Sequence, residues 1–166
     1  MIVRLSKCAL VAAVAFFYAL VVFNNTTDYE SNHQFVHHVL AMDDTFPGNH
    51  GLWRAIPQAS VQTFFYVSII CWEAVTSLLC WWGTVRLLKR LKSSAAAFDA
   101  AKDLAIGALT LGCLMWFVAF LSVGGEWFLM WQSKTWNGQD AAFRMFAVLG
   151  IILVYLAMPE RGSAKS

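Results

Sequence analysis

Four uninterrupted apolar runs, residues 8–23, 60–85, 104–123 and 141–158, constrain this chain more than any other feature. Hydrocarbon offers no partner to a peptide N–H or C=O, so a segment that crosses it must satisfy its own backbone as an α-helix. About 20 residues cross ~30 Å of hydrocarbon, and the last three runs are close to that length. The first is shorter, but Arg4 and Lys7 can snorkel from its start and the helix is expected to continue past Phe23. A signal peptide is the competing reading. Val21, Val22 and Phe23 lead into Asn24 without a small-x-small pair, which points to an uncleaved first helix.

Composition agrees, since 59% hydrophobic and 13% charged in 166 residues describes one membrane domain rather than a soluble globule. The predicted fold is an all-α membrane protein, a four-transmembrane-helix bundle over residues 1–166, with outer loops at 24–59 and 124–140 and an inner loop at 86–103. Pro57 precedes the second run, the Gly124 and Gly125 pair is expected to release the third helix, and Pro159 closes the fourth. A formal net charge of +2 gives no reason to expect a nucleic-acid partner.

Orientation follows from where Lys and Arg fall, because basic residues near helix ends are retained in the cytoplasm. Arg4, Lys7, Arg86, Lys89, Arg90, Lys92, Lys102, Arg161 and Lys165 lie on one side, against Arg54, Lys134 and Arg144 on the other. Both termini are therefore expected to be cytoplasmic. Trp53, Trp127, Trp131 and Trp136 fit an outer aromatic belt and Trp81 and Trp82 an inner one, while Trp72 and Trp116 fall deeper and need a partner for each indole N–H. Asp99 and Lys102 have i, i+3 spacing in the inner loop. Ala9 with Ala13, and Ala108 with Gly112, have the i, i+4 spacing that lets helices approach closely.

The outer loop concentrates the chemistry. Asp28, Glu30, His33, His37, His38, Asp43, Asp44 and His50 include every histidine of the protein. His33 and His37 share a helical face and could present two imidazoles to zinc or copper, with His38, Asp43, Asp44 or His50 completing the site. The alternative is a structural one. Phe35, Val36, Val39, Leu40 and Met42 make the segment amphipathic, so it would lie on the membrane surface as an ordered outer-face cap with its histidines in water. No cofactor is required by this reading, and zinc or copper is the ion such ligands would take.

Glu73 is an acidic residue near the middle of the second run, about thirteen residues from either end and ~20 Å deep by helix rise. A carboxylate there is costly and should face other helices or a wet cavity, with Thr76, Ser77 and Tyr18 as partners. It is either a proton or cation relay or a protonated donor of an interhelical hydrogen bond. Glu126 and Arg144, near the outer surface, could form a structural ion pair that braces the glycine turn. Cys8, Cys71, Cys80 and Cys113 all fall in or beside apolar runs, which makes them packing residues rather than a redox pair. A haem bundle needs histidines within the spans, and the spans have none.

Three stretches carry a resemblance: HHVLAMDDTFPGNHGLWRAI at 37–56, CWEA at 71–74 and GGEWFLMWQSKTWNGQDAAFR at 124–144. Together the chain resembles an uncharacterised bacterial family of predicted small integral membrane proteins, a domain of unknown function. The resemblance implies a multi-pass protein of the bacterial inner membrane and brings no activity, cofactor or catalytic residue. The expected function is a non-enzymatic interaction or accessory component that self-assembles or joins a larger membrane complex. The alternatives are a metal or small-ligand binding protein using the outer histidines and a small transporter or proton conductor centred on Glu73.

Overall fold

The computed structural model describes residues 1–160 and 162; Arg161 and Lys165, two of the basic residues used for orientation, lie outside them. Four helices are long and apolar enough to cross a membrane, and no strand occurs among the described residues. Helix α1 spans Ile2–Thr27, α2 Tyr29–Ala41, α3 Ala59–Lys89, α4 Ala95–Ala100, α5 Asp103–Leu114 and α6 Gln139–Ala157. A π-helix, Met115–Trp127, prolongs α5 without a break.

Helix α1 outruns its apolar segment at both ends. The hydroxyls of Thr26 and Thr27 donate back to Val22 O and Phe23 O at 2.8 and 2.7 Å, which satisfies them without loop or water, while Asn25 turns into the bundle. The chain breaks at Asp28 and restarts as α2, which ends at Met42 in the left-handed region with φ 54°. Val36, Val39, Leu40 and Met42 bury against Tyr66, Phe128 and Met130, so the periodic apolar face of α2 packs on α3 and on the chain that follows the π-helix.

The main core gathers Val11, Ala15 and Tyr18 of α1, Cys80 and Leu87 of α3, Ala105 and Leu109 of α5, and Leu149 and Leu156 of α6. Small residues set the spacing. A Cβ on Gly83 would lie 2.9 Å from Ala105 Cβ, and one on Gly112 would lie 2.8 Å from the Tyr18 hydroxyl. Ala108 and Gly112 are thus a helix contact face inside the fold, whereas Ala9 and Ala13 are exposed. Trp72 and Trp116 find their indole partners between helices, in Leu111 O at 3.1 Å and Tyr18 Oη at 2.9 Å. Cys8 and Cys80 are buried, and all four thiols are free.

Gly124 and Gly125 do not release the third helix, contrary to the expectation from their backbone freedom. The helix runs through both as a π-helix, with the Phe128 N–H donating to Val123 O five residues back at 3.0 Å. Both glycines are buried, and a Cβ on Gly125 would come within 2.6 Å of Gln139 Nε2. Gly125 serves close approach rather than a turn.

The two termini meet. Glu160, after α6, accepts from Arg4 Nε at 3.0 Å and Lys7 Nζ at 2.9 Å, and lies 3.5 Å from Lys102 Nζ. Lys102 also pairs with Asp99 at 2.6 Å, as the i, i+3 spacing predicts. Arg4 reaches across to Leu91 O and Ser93 O at 2.9 and 2.7 Å. The end of the bundle opposite this charged lock, carrying α2 and the 128–138 segment, is called the distal end below.

Candidate functional site

Three features cluster at the distal end: an apolar cavity, a more polar one beside it, and a group of imidazoles. All three depend on α2. Its helix buries Val36, Val39 and Leu40 and leaves Phe35, His37 and His38 half-buried, while the left-handed Met42 folds Asp43 back toward His38.

The larger cavity has a volume of about 400 Å³ and is walled by Phe35, Val36, Val39 and Leu40 of α2, Phe64, Phe65, Ser68, Ile69 and Trp72 of α3, the π-helix from Val118 to Gly124, and Phe128 and Met130. Its one side-chain hydroxyl, on Ser68, donates back to Phe64 O at 2.7 Å and so leaves the wall apolar. Phe64 and Phe65 belong to the exposed surface of α3, so the lining of the cavity reaches the surface of the protein there.

The second cavity, about 230 Å³, is lined by Glu73 together with Asn25, Asn32, Tyr66 and Trp116 among apolar side chains. Glu73 is 2% exposed. Its partner is not Thr76, Ser77 or Tyr18: the hydroxyls of Thr76 and Ser77 donate to Trp72 O and Ala15 O at 2.9 and 2.8 Å, and the Tyr18 hydroxyl accepts from Trp116. Asn25 Nδ2 donates to Glu73 Oε2 at 2.7 Å, and the Tyr66 hydroxyl donates to Asn25 O at 3.1 Å. Asn25 escaped the sequence reading because it follows the apolar run. Its signal was periodic, since it lies seven residues after Tyr18 on the buried face of α1.

The histidines divide. His37, His38 and Asp43 each offer a ligand atom, all within 4.8 Å of one another. The His37 Nδ1 lies 2.7 Å from Gln62 Oε1, and His38 Nδ1 lies 2.9 Å from both Asp43 oxygens while its ring stacks on Trp136 at 4.4 Å. A ring nitrogen that donates in this way leaves the other as a lone-pair donor, which is how metal-ligating imidazoles are oriented. His33 is not part of this group. It stacks on Tyr29 at 5.5 Å and its Nε2 lies 3.2 Å from Thr63 Oγ1. His50 lies in the exposed turn before Leu52.

Asp44 turns the other way and ties the first loop to the second. The Ser133 hydroxyl donates to Asp44 Oδ2 at 2.5 Å and the Thr135 N–H approaches the same oxygen at 3.4 Å, and these donors hold the carboxyl below its usual range. Glu126 and Arg144 form no ion pair among the described residues. Both side chains are exposed, and Glu126 instead lends its backbone carbonyl to Arg54 Nη1 at 3.4 Å. Arg54 also donates to Trp127 O at 2.9 Å and lies against the Trp53 and Trp127 rings.

No curated protein and no solved structure matches the chain. A family described as predicted small integral membrane protein (DUF2165) matches it over residues 3–159, which takes in all four long helices except Ile2 and every residue of the three features above. The protein is a member of that family of small integral membrane proteins.

Proposed function

We propose that this protein is a non-enzymatic accessory component of the bacterial inner membrane, with both termini cytoplasmic, that holds an apolar, chain-bearing molecule at its distal end. The observation that carries this reading is the cavity of about 400 Å³ between α2, α3 and the π-helix. Sites for small ligands enclose roughly 300–1,000 Å³, are mostly apolar, and form between helices of bundles. Here the wall is formed by α2, α3, the π-helix and the segment that follows it, and it includes Phe64, which is 68% exposed. A hydrocarbon chain from the adjoining leaflet enters sideways, with α2 closing over it. The π-helix supports this use, because the i→i+5 ladder departs from the regular helix along the cavity wall, and such departures are frequent at binding sites.

The test is native mass spectrometry of protein extracted in mild detergent, followed by solvent extraction of what it carries. Wild-type protein should retain one apolar molecule per chain, and Ala119→Trp, which fills the cavity from the π-helix, should lose it. Recovery of membrane lipids only in their bulk proportions, unchanged by the substitution, would overturn the reading.

A second reading rests on His37, His38 and Asp43, whose convergence suits zinc or copper bound at the distal surface. Elemental analysis decides it: about one equivalent of metal, lost in a His37→Ala, His38→Ala double variant, supports this reading, and a metal-free wild type loaded in excess zinc and then desalted excludes it. Self-assembly or membership of a larger complex rests only on exposed apolar side chains such as Phe16 and Phe23. Lipid covers those equally well, so they do not carry the proposal.

A further inference from the structure

Glu73 is the one acidic side chain buried within a membrane-crossing helix of the described residues, and no Lys, Arg or His forms an ion pair with it. A carboxyl at that depth is held either by protonation or by a positive charge brought to it. Three observations favour an incoming charge. Asn25 presents its side-chain N–H to Glu73 Oε2 at 2.7 Å, and the Tyr66 hydroxyl donates to the Asn25 backbone carbonyl at 3.1 Å. Glu73, though buried between α1 and α3, is also among the residues that line a volume of about 230 Å³. That volume shares Phe35, Val36, Ile69 and Phe120 with the apolar cavity, so the two spaces meet at one wall.

The shared wall includes a stacked pair of rings, Phe35 and Phe120, with centroids 6.4 Å apart. On one side lies a lobe fit for a hydrocarbon chain. On the other lies a lobe that offers a carboxylate and, from Asn25 and Asn32, amide groups. One molecule occupying both would have an apolar tail and a compact head that carries one positive charge and donates hydrogen bonds.

We propose that the site selects a cationic amphiphile, a single-chain or small-headed molecule with a protonated amine, whose ammonium sits against Glu73 while its chain fills the apolar cavity. This deepens the ligand-holding reading and rests on it. The ammonium adds a charged donor to the neutral one that Asn25 supplies, and a charge-assisted bond formed away from water is among the stronger noncovalent contacts. Asn25 then positions the carboxylate, and Asn32 limits the size of the head.

The experiment compares tetradecylamine with tetradecanol, two probes of equal chain length, against wild-type protein in nanodiscs of uncharged lipid, with Trp116 and Trp72 fluorescence as the readout. Wild type should bind the amine at least about tenfold more tightly than the alcohol. Glu73→Gln should bring that ratio close to one and leave alcohol binding within about twofold. Should that variant fold poorly, Ala141→Phe fills the head lobe from α6 and leaves Glu73 itself unchanged, and it should lower the ratio in the same way. Equal binding of both probes by wild type overturns the charge selection and leaves the apolar site standing. Absence of binding by either probe overturns both.

Discussion

Replacing Glu160 by Gln removes the single negative charge that three cations share where the termini meet. Arg4 Nε, Lys7 Nζ and Lys102 Nζ lie 3.0, 2.9 and 3.5 Å from its carboxylate. Lys7 and Lys102 are each 2% exposed, and both donate to the one Met158 carbonyl at 2.8 Å, so without Glu160 that carbonyl is the hydrogen-bond acceptor left to Lys7 among the described residues. At an effective dielectric near 20, charges ~3 Å apart attract by about 5–6 kcal/mol before desolvation. Measured losses from stranding a buried ion are about 3–5 kcal/mol. The Gln amide oxygen still accepts one hydrogen bond, and Asp99 still pairs with Lys102 at 2.6 Å, so the lower end, about 3 kcal/mol, is expected. Unfolding by dodecyl sulfate in mixed micelles, followed by circular dichroism, measures it. A loss under about 1 kcal/mol would show that water or lipid headgroups screen this cluster, and would refute the reasoning.

The same pair of proteins gives a pH test. Burial alone would push the Glu160 carboxyl up, but hydrogen bonds from Lys7 and Arg4, with the charges of Lys7 and Lys102, hold it below its usual range. A carboxyl depressed on folding stabilises fully above its unfolded value, about 4.3, and loses that contribution as the pH falls through the lower folded value. The wild type should therefore keep its advantage over Glu160→Gln at neutral pH and shed it only below about pH 4. A gap that stays constant to lower pH would mean the carboxyl is not the group responsible.

Two further outcomes follow from the packing and the charge pattern. Gly83→Ala should destabilise by about 1–3 kcal/mol, because the new Cβ would meet the Ala105 Cβ at 2.9 Å and its backbone Cα at 3.1 Å. Gly107→Ala, with nothing within 4 Å, should instead gain roughly 0.5–1 kcal/mol of helix propensity, and the same unfolding assay reads both signs. For orientation, alkaline phosphatase fused after Pro47 should be active and fused after Lys92 inactive, and the reverse result would invert the assignment made from the basic residues.

The bundle was legible because its cause is local. An 18-residue apolar window forces a helix whatever the neighbours do, so four runs predict four long helices. Trp72 and Trp116 were legible for a related reason, since an indole N–H in hydrocarbon must find an acceptor and both do. The glycine pair misled because backbone freedom permits a turn without requiring one, and the proximity of Gln139, distant in sequence, decides the matter at Gly125. The lock at the termini was out of reach for the same reason. Arg4 and Lys7 read as snorkelling residues until Glu160, beyond Pro159, is seen to fold back onto them.

Glu73 shows why depth read along one helix does not identify a partner on another. Tyr66 donates its hydroxyl to the Asn25 carbonyl, which puts Asn25 close to the level of Tyr66, some ~10 Å of helix rise toward the distal end from the Glu73 backbone. Side chains of a helix lean toward its own N-terminus. In the antiparallel pair α1 and α3 that tilt carries the Asn25 amide toward the bundle centre and the Glu73 carboxyl toward the distal end, and the two meet at 2.7 Å. Residues on neighbouring turns of α3, such as Thr76 and Ser77, lean the same way as Glu73 and bond to carbonyls instead. The carboxyl consequently lies nearer the distal loops than its sequence position suggests, within the same cavity as Asn32 and Gly138.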